Sequence, residues 1–270
     1  MSDDTKDPRE AVRVERVPGG DPMSGRVLVW YSDGAASACA AKLAVEKYKD
    51  RVEIVKCDTT PDEHPDNLRF RREVEAWIGK EVTLIASDDY DGIDDVFERT
   101  RYMAGIAGAR CTTELKKLPR RIYQRPDDIH IFGYTTDEWN RVERFEANHP
   151  ELTCEWILVD NFVRKQDCHR MLREAGIESP AMYALGFDHN NCLGCVKATS
   201  PGYWNRTRRH FPEAFERRAR QSREIGARLV RVEGERVFLD ELDPDVGLDQ
   251  PDGDIECGPF CEMGQGELDL

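Results

Sequence analysis

Short β-branched runs alternate with stretches of good helix formers along the first half of the chain, and this alternation restricts the fold more than any other feature. Arg26-Val-Leu-Val-Trp30 is a brief apolar run of the kind buried on both faces of a sheet, and it stops at a small-residue loop, 31–36. Ala38 to Tyr48 follows, rich in Ala, Lys, Leu and Glu, so the first unit reads strand, tight loop, helix. The pattern continues with a strand over 52–57, a helix over 66–77, strands over 83–86 and 129–134, and a helix over 138–147. That order predicts an α/β fold with a mostly parallel, doubly wound sheet. Ligands of such sheets bind beyond the carboxyl ends of the strands, so Ser32, Asp58 and Tyr134, which mark those ends, are expected to share one crevice.

A chain of 270 residues, 39% apolar, can bury one good core, which implies one main domain with appended segments. Residues 1–24 read as a flexible tail closed by Pro-Gly-Gly-Asp-Pro at 18–22, residues 25–180 as the α/β domain, and residues 181–270 as a Cys-rich C-terminal extension packed on it. Within the extension a charged helix is expected over 203–221, then a hairpin pairing 229–231 with 236–239 around Glu233-Gly234. No run approaches the ~20 apolar residues that cross a bilayer, and the acidic N-terminus lacks the pattern of an export signal, so the expected location is the cytoplasm, without a membrane partner. The net charge of −14 argues against nucleic-acid binding over the whole surface. Eight Lys or Arg against two acids in 197–223 leave a local nucleic-acid contact open, with a solvated helix face as the plainer alternative. Nine cysteines, an odd number in a reducing compartment, point to metal binding or redox chemistry for any that cluster.

Six segments carry chemistry. Ser32-Asp-Gly-Ala-Ala-Ser37 lies between strand and helix, where free amides and the helix dipole favour an anion; Gly34 allows close backbone approach, and the Ser32 and Ser37 hydroxyls can donate to phosphate. The same loop could be a simple helix cap. Cys57-Asp58-Thr59-Thr60, followed by His64-Pro65-Asp66-Asn67, places a carboxylate at the second strand end, to orient a nucleotide or to cap a turn. Arg110-Cys111-Thr-Thr-Glu-Leu-Lys116-Lys117-Leu-Pro119 combines a thiol with cations, and Phe132-Gly133-Tyr-Thr-Thr-Asp-Glu-Trp-Asn-Arg141 follows a core strand. Arg141 and Arg144 then either contact an anion or pair with Glu138 and Glu143. Asn190-Asn-Cys192-Leu-Gly-Cys195 is the most specific signal, a Cys-x-x-Cys turn able to put two thiolates on one metal or cluster. Ile255-Glu-Cys257-Gly-Pro-Phe-Cys261 adds a second pair near the C-terminus.

In that order, and discontinuously over residues 26–261, these segments resemble the phosphoadenosine phosphosulfate reductase family of the PP-loop superfamily, in its iron–sulfur variant. The resemblance implies a Rossmann-like PP-loop fold and a sulfonucleotide (PAPS or APS) reductase-like oxidoreductase. Ser32, Gly34, Ser37, Asp58, Thr59, Gly133 and Arg141 would bind the adenine nucleotide, with Lys116 at the family's lysine position. It further implies Cys257 as nucleophile and a [4Fe-4S] cluster on Cys111, Cys192, Cys195 and Cys261, with Cys257 and Cys261 able to exchange roles. A thiol or other electron donor would be the partner. By spacing alone zinc suits four thiolates equally well. The chain departs from the family at Thr60 (usually Gly), Thr112 (the second Cys of a pair) and Phe260 (His). Two alternatives stay open: ATP-dependent thiolation of nucleic acid, which Ala36 opposes because thiolating relatives carry Asp there, and a non-catalytic nucleotide- or metal-binding partner protein. Oligomeric assembly is likewise open. Cys39, Cys154 and Cys168 read as small apolar residues, Tyr203-Trp204 as packing, and His130, His149 and His210 as unrelated to a metal.

Overall fold

The computed structural model describes residues 25–105, 108–253, 255 and 259. The tail expected over 1–24 and the candidate residues Cys257 and Cys261 lie outside the described residues. Five strands, β1 (Val27–Trp30), β2 (Val52–Cys57), β3 (Val82–Ile85), β4 (Ile129–Ile131) and β5 (Thr153–Glu155), form one all-parallel sheet in the order β3-β2-β1-β4-β5. Val27 of the central strand stands opposite Val52 on one side and Ile129 on the other. The principal helices are α1 (Ala35–Tyr48), α2 (Asn67–Ile78), α3 (Ile93–Thr100), the segment 110–123 (α4), α5 (Trp139–Asn148), α6 (Lys165–Glu174), α7 (Pro201–His210) and α8 (Pro212–Ile225). This is the α/β, doubly wound architecture the alternation predicts.

Both faces of β1 are covered, which is why its sequence is apolar without alternation. Val27 and Val29 join the alanines of α1, Phe70 and Val74 of α2, and Leu172 of α6 in one core. Leu28 and Trp30 point the other way, into a second layer with Val142 and Phe145 of α5 and with Trp156. Val27, Leu28 and Val29 are wholly excluded from solvent, and each such side chain contributes about 1.5–3 kcal/mol. Ala35, Ala38, Ala41 and Ala44 are buried in the same core as β1, so small side chains keep the helix close to the sheet.

A further core lies apart from the sheet. It unites Phe187, Cys192, Cys195, Tyr203, Trp204, Phe215 and Leu239 from the extension with Ile93, Val96, Phe97, Met103 and Leu115. Ile93, Val96, Phe97, Met103, Ala109 and Leu115, placed by sequence in the α/β domain, therefore pack with the extension. The helix expected over 203–221 is two helices: Pro212 offers no amide and drives Phe211 out of the helical region (φ −137°, ψ 61°), so α7 ends and α8 begins there. The strand expected over 129–134 stops at Ile131, after which Phe132 to Tyr134 leave the sheet and wall a cleft. The hairpin forms as expected from Val230–Val232 and Glu235–Val237, with Glu233 and Gly234 both left-handed (φ 50° and 90°) as a tight two-residue turn requires. Among the described residues no helix is long and apolar enough to cross a membrane.

Candidate functional site

The order of strands reverses between β1 and β4, and a cleft of about 200 Å³ opens there, beyond the carboxyl ends of both. The loop 32–37 forms one wall and Phe132 to Thr135 the other. Gly133 makes this closeness possible. A Cβ there would stand 2.6 Å from the Ser37 amide nitrogen and 2.9 Å from the Ala36 carbonyl carbon, both backbone atoms that cannot swing aside.

Within the loop the Ser32 hydroxyl donates to Ser37 Oγ (3.2 Å) and the Ser37 hydroxyl donates to the Gly34 carbonyl (3.0 Å). The serines thus shape the turn, and the first amides of α1 receive no side-chain cap at Gly34. Those amides, with the positive end of the helix dipole, are what the loop offers an anion. Gly34 itself is extended (φ −101°); the residue in left-handed conformation is Asp33 (φ 54°). Its buried carboxylate takes a bidentate pair from Arg71 (2.6 and 3.0 Å) and lies 3.3 Å from Lys56 Nζ. Lys56 donates in turn to Glu63 (2.8 and 3.0 Å), which also accepts from Thr59 (2.6 Å) and Asn67 (3.0 Å). Burial pushes the Glu63 carboxyl up, but the Lys56 ammonium and these hydrogen bonds outweigh it and hold the group below the usual carboxylate range, as an ion. Asn190, two residues before the Cys-x-x-Cys turn, donates to the Asp33 carbonyl (2.6 Å) and to Asn67 Oδ1 (2.9 Å), tying the loop to the cysteine segment.

In a protein carrying −14 the cleft has the opposite bias. Four cationic side chains, Lys56, Lys116, Arg141 and Lys165, line it against two carboxylates, Glu63 and Glu138. Glu63 is matched by Lys56, and Glu138 is held in the capping box with Thr135 and in a pair with Arg141. The aromatic rings of Trp30, Phe132, Tyr134 and Tyr183 supply flat apolar walls. Such a cleft suits an anionic ligand with a planar part.

A second, smaller cavity adjoins the first, and Thr59, Lys116 and Cys192 line both. Its other walls include Cys111, Cys195 and Gly194, so three cysteines from α4 and the 192–195 turn border one space. Segment α4 contains a π-helical turn, Thr113–Lys117. Cys111 and Lys116 are five residues apart, which an α-helix would part by about 140° and a wider π turn brings toward one face. Among the described residues no group of three or more His, Cys, Asp or Glu side chains is placed to hold a metal ion. The cavity holds only about 10 Å³, so Cys111, Cys192 and Cys195 border it without making an ion site among themselves, although thiols are the soft donors that iron and zinc take.

Of the nucleotide-site residues expected from sequence, Ser32, Gly34, Ser37, Thr59, Gly133 and Arg141 line the cleft, as does Lys116. Asp58 does not: its carboxylate caps the turn by accepting the Thr60 amide (3.0 Å), the alternative role open to it in sequence. Arg141 pairs with Glu138, and its guanidinium lies 4.8 Å from the Tyr134 ring centre. Arg144 lines an open hollow of about 610 Å³ beside the cleft, with Lys165 and His189. Ile255 and Pro259, each two residues from Cys257, line the cleft itself. Several cations of the stretch 197–223 are engaged within the chain. Arg218 is buried against Asp94 and Asp62, Arg206 holds Asp252, Arg223 holds Asp240 and Glu241, and Arg208 donates to the carbonyls of Leu239 and Leu242.

Lys56, Glu63, Lys165 and His189 were not singled out from sequence, and Asn190 entered only as a flank of the cysteine motif. One signal was there to read: Lys56 is a charge inside an otherwise buried strand, which survives only beside a partner. Cys39 and Cys168 are fully buried in the sheet core, and Tyr203 and Trp204 are packing residues, as expected. No family model and no curated protein matches this chain.

Proposed function

We propose that the protein is a sulfonucleotide reductase-like enzyme that binds an adenine nucleotide in the cleft and uses a tail cysteine for chemistry at sulfur. The observation that carries this reading is the shared wall: Thr59, Lys116 and Cys192 line both the cleft holding the Ser32–Ser37 loop and the cavity bordered by three cysteines. A phosphate at the loop amides and a thiol-bound centre would then be neighbours. Ile255 and Pro259, which flank Cys257 in sequence, line the same cleft.

In this reading the aromatic walls take the adenine, the first turn of α1 takes the phosphate, and Lys116 and Arg141 offset the charge of the sulfate end. The Cys257 thiolate attacks the sulfate sulfur, forming an S–S bond as the S–O bond to the nucleotide phosphate breaks, and adenosine phosphate leaves with the electron pair. A second thiol then attacks the Cys257 sulfur of the thiosulfonate, releasing sulfite and leaving a disulfide. Cys111, Cys192 and Cys195, with Cys261 from the tail, would hold a [4Fe-4S] cluster beside the reacting sulfur, and Lys116, which lines both spaces, would ease the approach of an anionic substrate to a thiolate.

The test is to incubate anaerobically purified protein and a dithiol with adenosine phosphosulfate, with or without the 3′-phosphate, and separately with ATP and RNA or DNA. Sulfite release, abolished in Cys257→Ser, is the expected result. Pyrophosphate release dependent on nucleic acid would replace this reading with base thiolation, and full sulfite production by Cys257→Ser would refute the assigned nucleophile.

A further inference from the structure

The backbone of the Cys192-Leu-Gly-Cys195 turn is held at five of its polar groups, and none of the five bonds uses a sulfur. The Leu193 amide donates to the Asp62 carbonyl (2.8 Å), the Gly194 carbonyl accepts from Arg218 Nε (3.3 Å), and the Cys195 carbonyl accepts from the Ala198 amide (3.0 Å). The remaining two meet at a single atom. The Cys195 amide donates to the Tyr203 oxygen (2.7 Å), and the Tyr203 hydroxyl donates to the Cys192 carbonyl (3.3 Å). One phenol therefore spans the turn and links the main chains of both cysteines. Tyr203 is buried to 2% exposure among Phe187 and Trp204, whose rings meet it edge-on at 5.6 and 5.3 Å, so its oxygen cannot trade these partners for water. Below the turn Gly194 is left-handed (φ 70°), and a Cβ there would stand 3.0 Å from Arg218 Cγ.

We infer that Tyr203 is a positioning residue for the thiol site: it fixes the main-chain spacing of Cys192 and Cys195 before a metal arrives. The inference rests on the reading of Cys111, Cys192 and Cys195 as metal ligands, and goes beyond it by naming the residue that fixes their geometry. A preset turn avoids the ordering cost that a flexible Cys-x-x-Cys loop meets on binding. Outer groups that orient ligands typically change metal affinity by about 10–100-fold when removed. Tyr203→Phe keeps the ring and deletes only the atom that joins the two cysteines.

Full-length protein, freed of metal under anaerobic conditions, is titrated with cobalt(II) and followed by its thiolate-to-cobalt absorption, with circular dichroism and thermal midpoint recorded alongside. Wild type should bind cobalt(II) with no change in backbone dichroism. Tyr203→Phe should bind about 10–100-fold more weakly, with a shifted cobalt spectrum reporting altered thiolate geometry. Phe215→Leu thins the same core without removing any of the five bonds, and should leave affinity within about threefold of wild type. The inference is overturned if Tyr203→Phe binds like wild type, or if both variants lose affinity in proportion to lost thermal stability. Wild type that binds no cobalt(II) would instead overturn the metal reading beneath it, an outcome distinct from equal binding by wild type and variant.

Discussion

His130 shows how one buried side chain sets a pH limit on the whole protein. It sits on β4, 1% exposed, and its Nδ1 accepts the Trp30 indole N–H at 3.0 Å, a role open only to the neutral ring. Burial pushes its imidazole down to about 4, the Asp128 carboxylate opposing and the Arg120 and Arg26 guanidiniums assisting. The unfolded chain takes up this proton near the ordinary value of 6.5 and the folded chain only near 4, so stability is full above 6.5 and falls as pH drops toward 4. The loss over that window should be on the order of 2–3 kcal/mol. Urea unfolding at several pH values, compared with His130→Gln, should show a shallower decline in the variant between pH 6.5 and 4. Equal slopes would mean that another group sets the limit.

At the scale of elements the site depends on how closely β4 and α1 approach. Gly133 is the contact point, and a methyl group there meets only backbone. Gly133→Ala should therefore part the end of β4 from the first turn of α1 and remove an anion's purchase on the loop amides. We expect nucleotide affinity, measured by calorimetry with adenosine phosphosulfate, to fall at least tenfold, and stability to drop by about 1–3 kcal/mol as overpacking does. Unchanged affinity would show that the phosphates lie elsewhere. A strand–loop–helix unit was legible here because Ala, Lys, Leu and Glu after an apolar run leave little choice of period. Helices α3, α4 and α6 and strand β5 were not read. β5 is a three-residue edge strand of polar character, and α4 owes its shape to a π turn that no spacing announces.

Over the whole molecule 53 acidic residues face 39 basic ones, while the cleft gathers four cations against two carboxylates. The acidic exterior repels itself, so salt should stabilise the fold. Raising sodium chloride from about 0.05 to about 1 M shortens the screening length from more than 10 Å to about 3 Å, and the thermal midpoint should rise. The same salt should weaken nucleotide binding, because attraction in the cleft is screened along with repulsion outside it. A midpoint that falls with salt would show that the surface ion pairs outweigh the net repulsion.

Periodicity and turn chemistry, both properties of neighbouring residues, were enough for the alternating strands and helices, the doubly wound sheet, the 32–37 loop at a strand end and the hairpin at 230–237. They also showed which cysteines come in pairs. They could not show that Ile93, Phe97, Met103 and Leu115 join the core of the extension, that Asp58 caps a turn while Lys56 and Glu63 reach the cleft, or that Arg206, Arg218 and Arg223 are held by Asp62, Asp94, Asp240 and Asp252. Each of these is a choice of partner among residues distant in sequence. Burial and charge pairing settle such choices only when the chain has closed on itself, because a buried ion is tolerable solely beside its counter-ion and that neighbour is supplied by the fold.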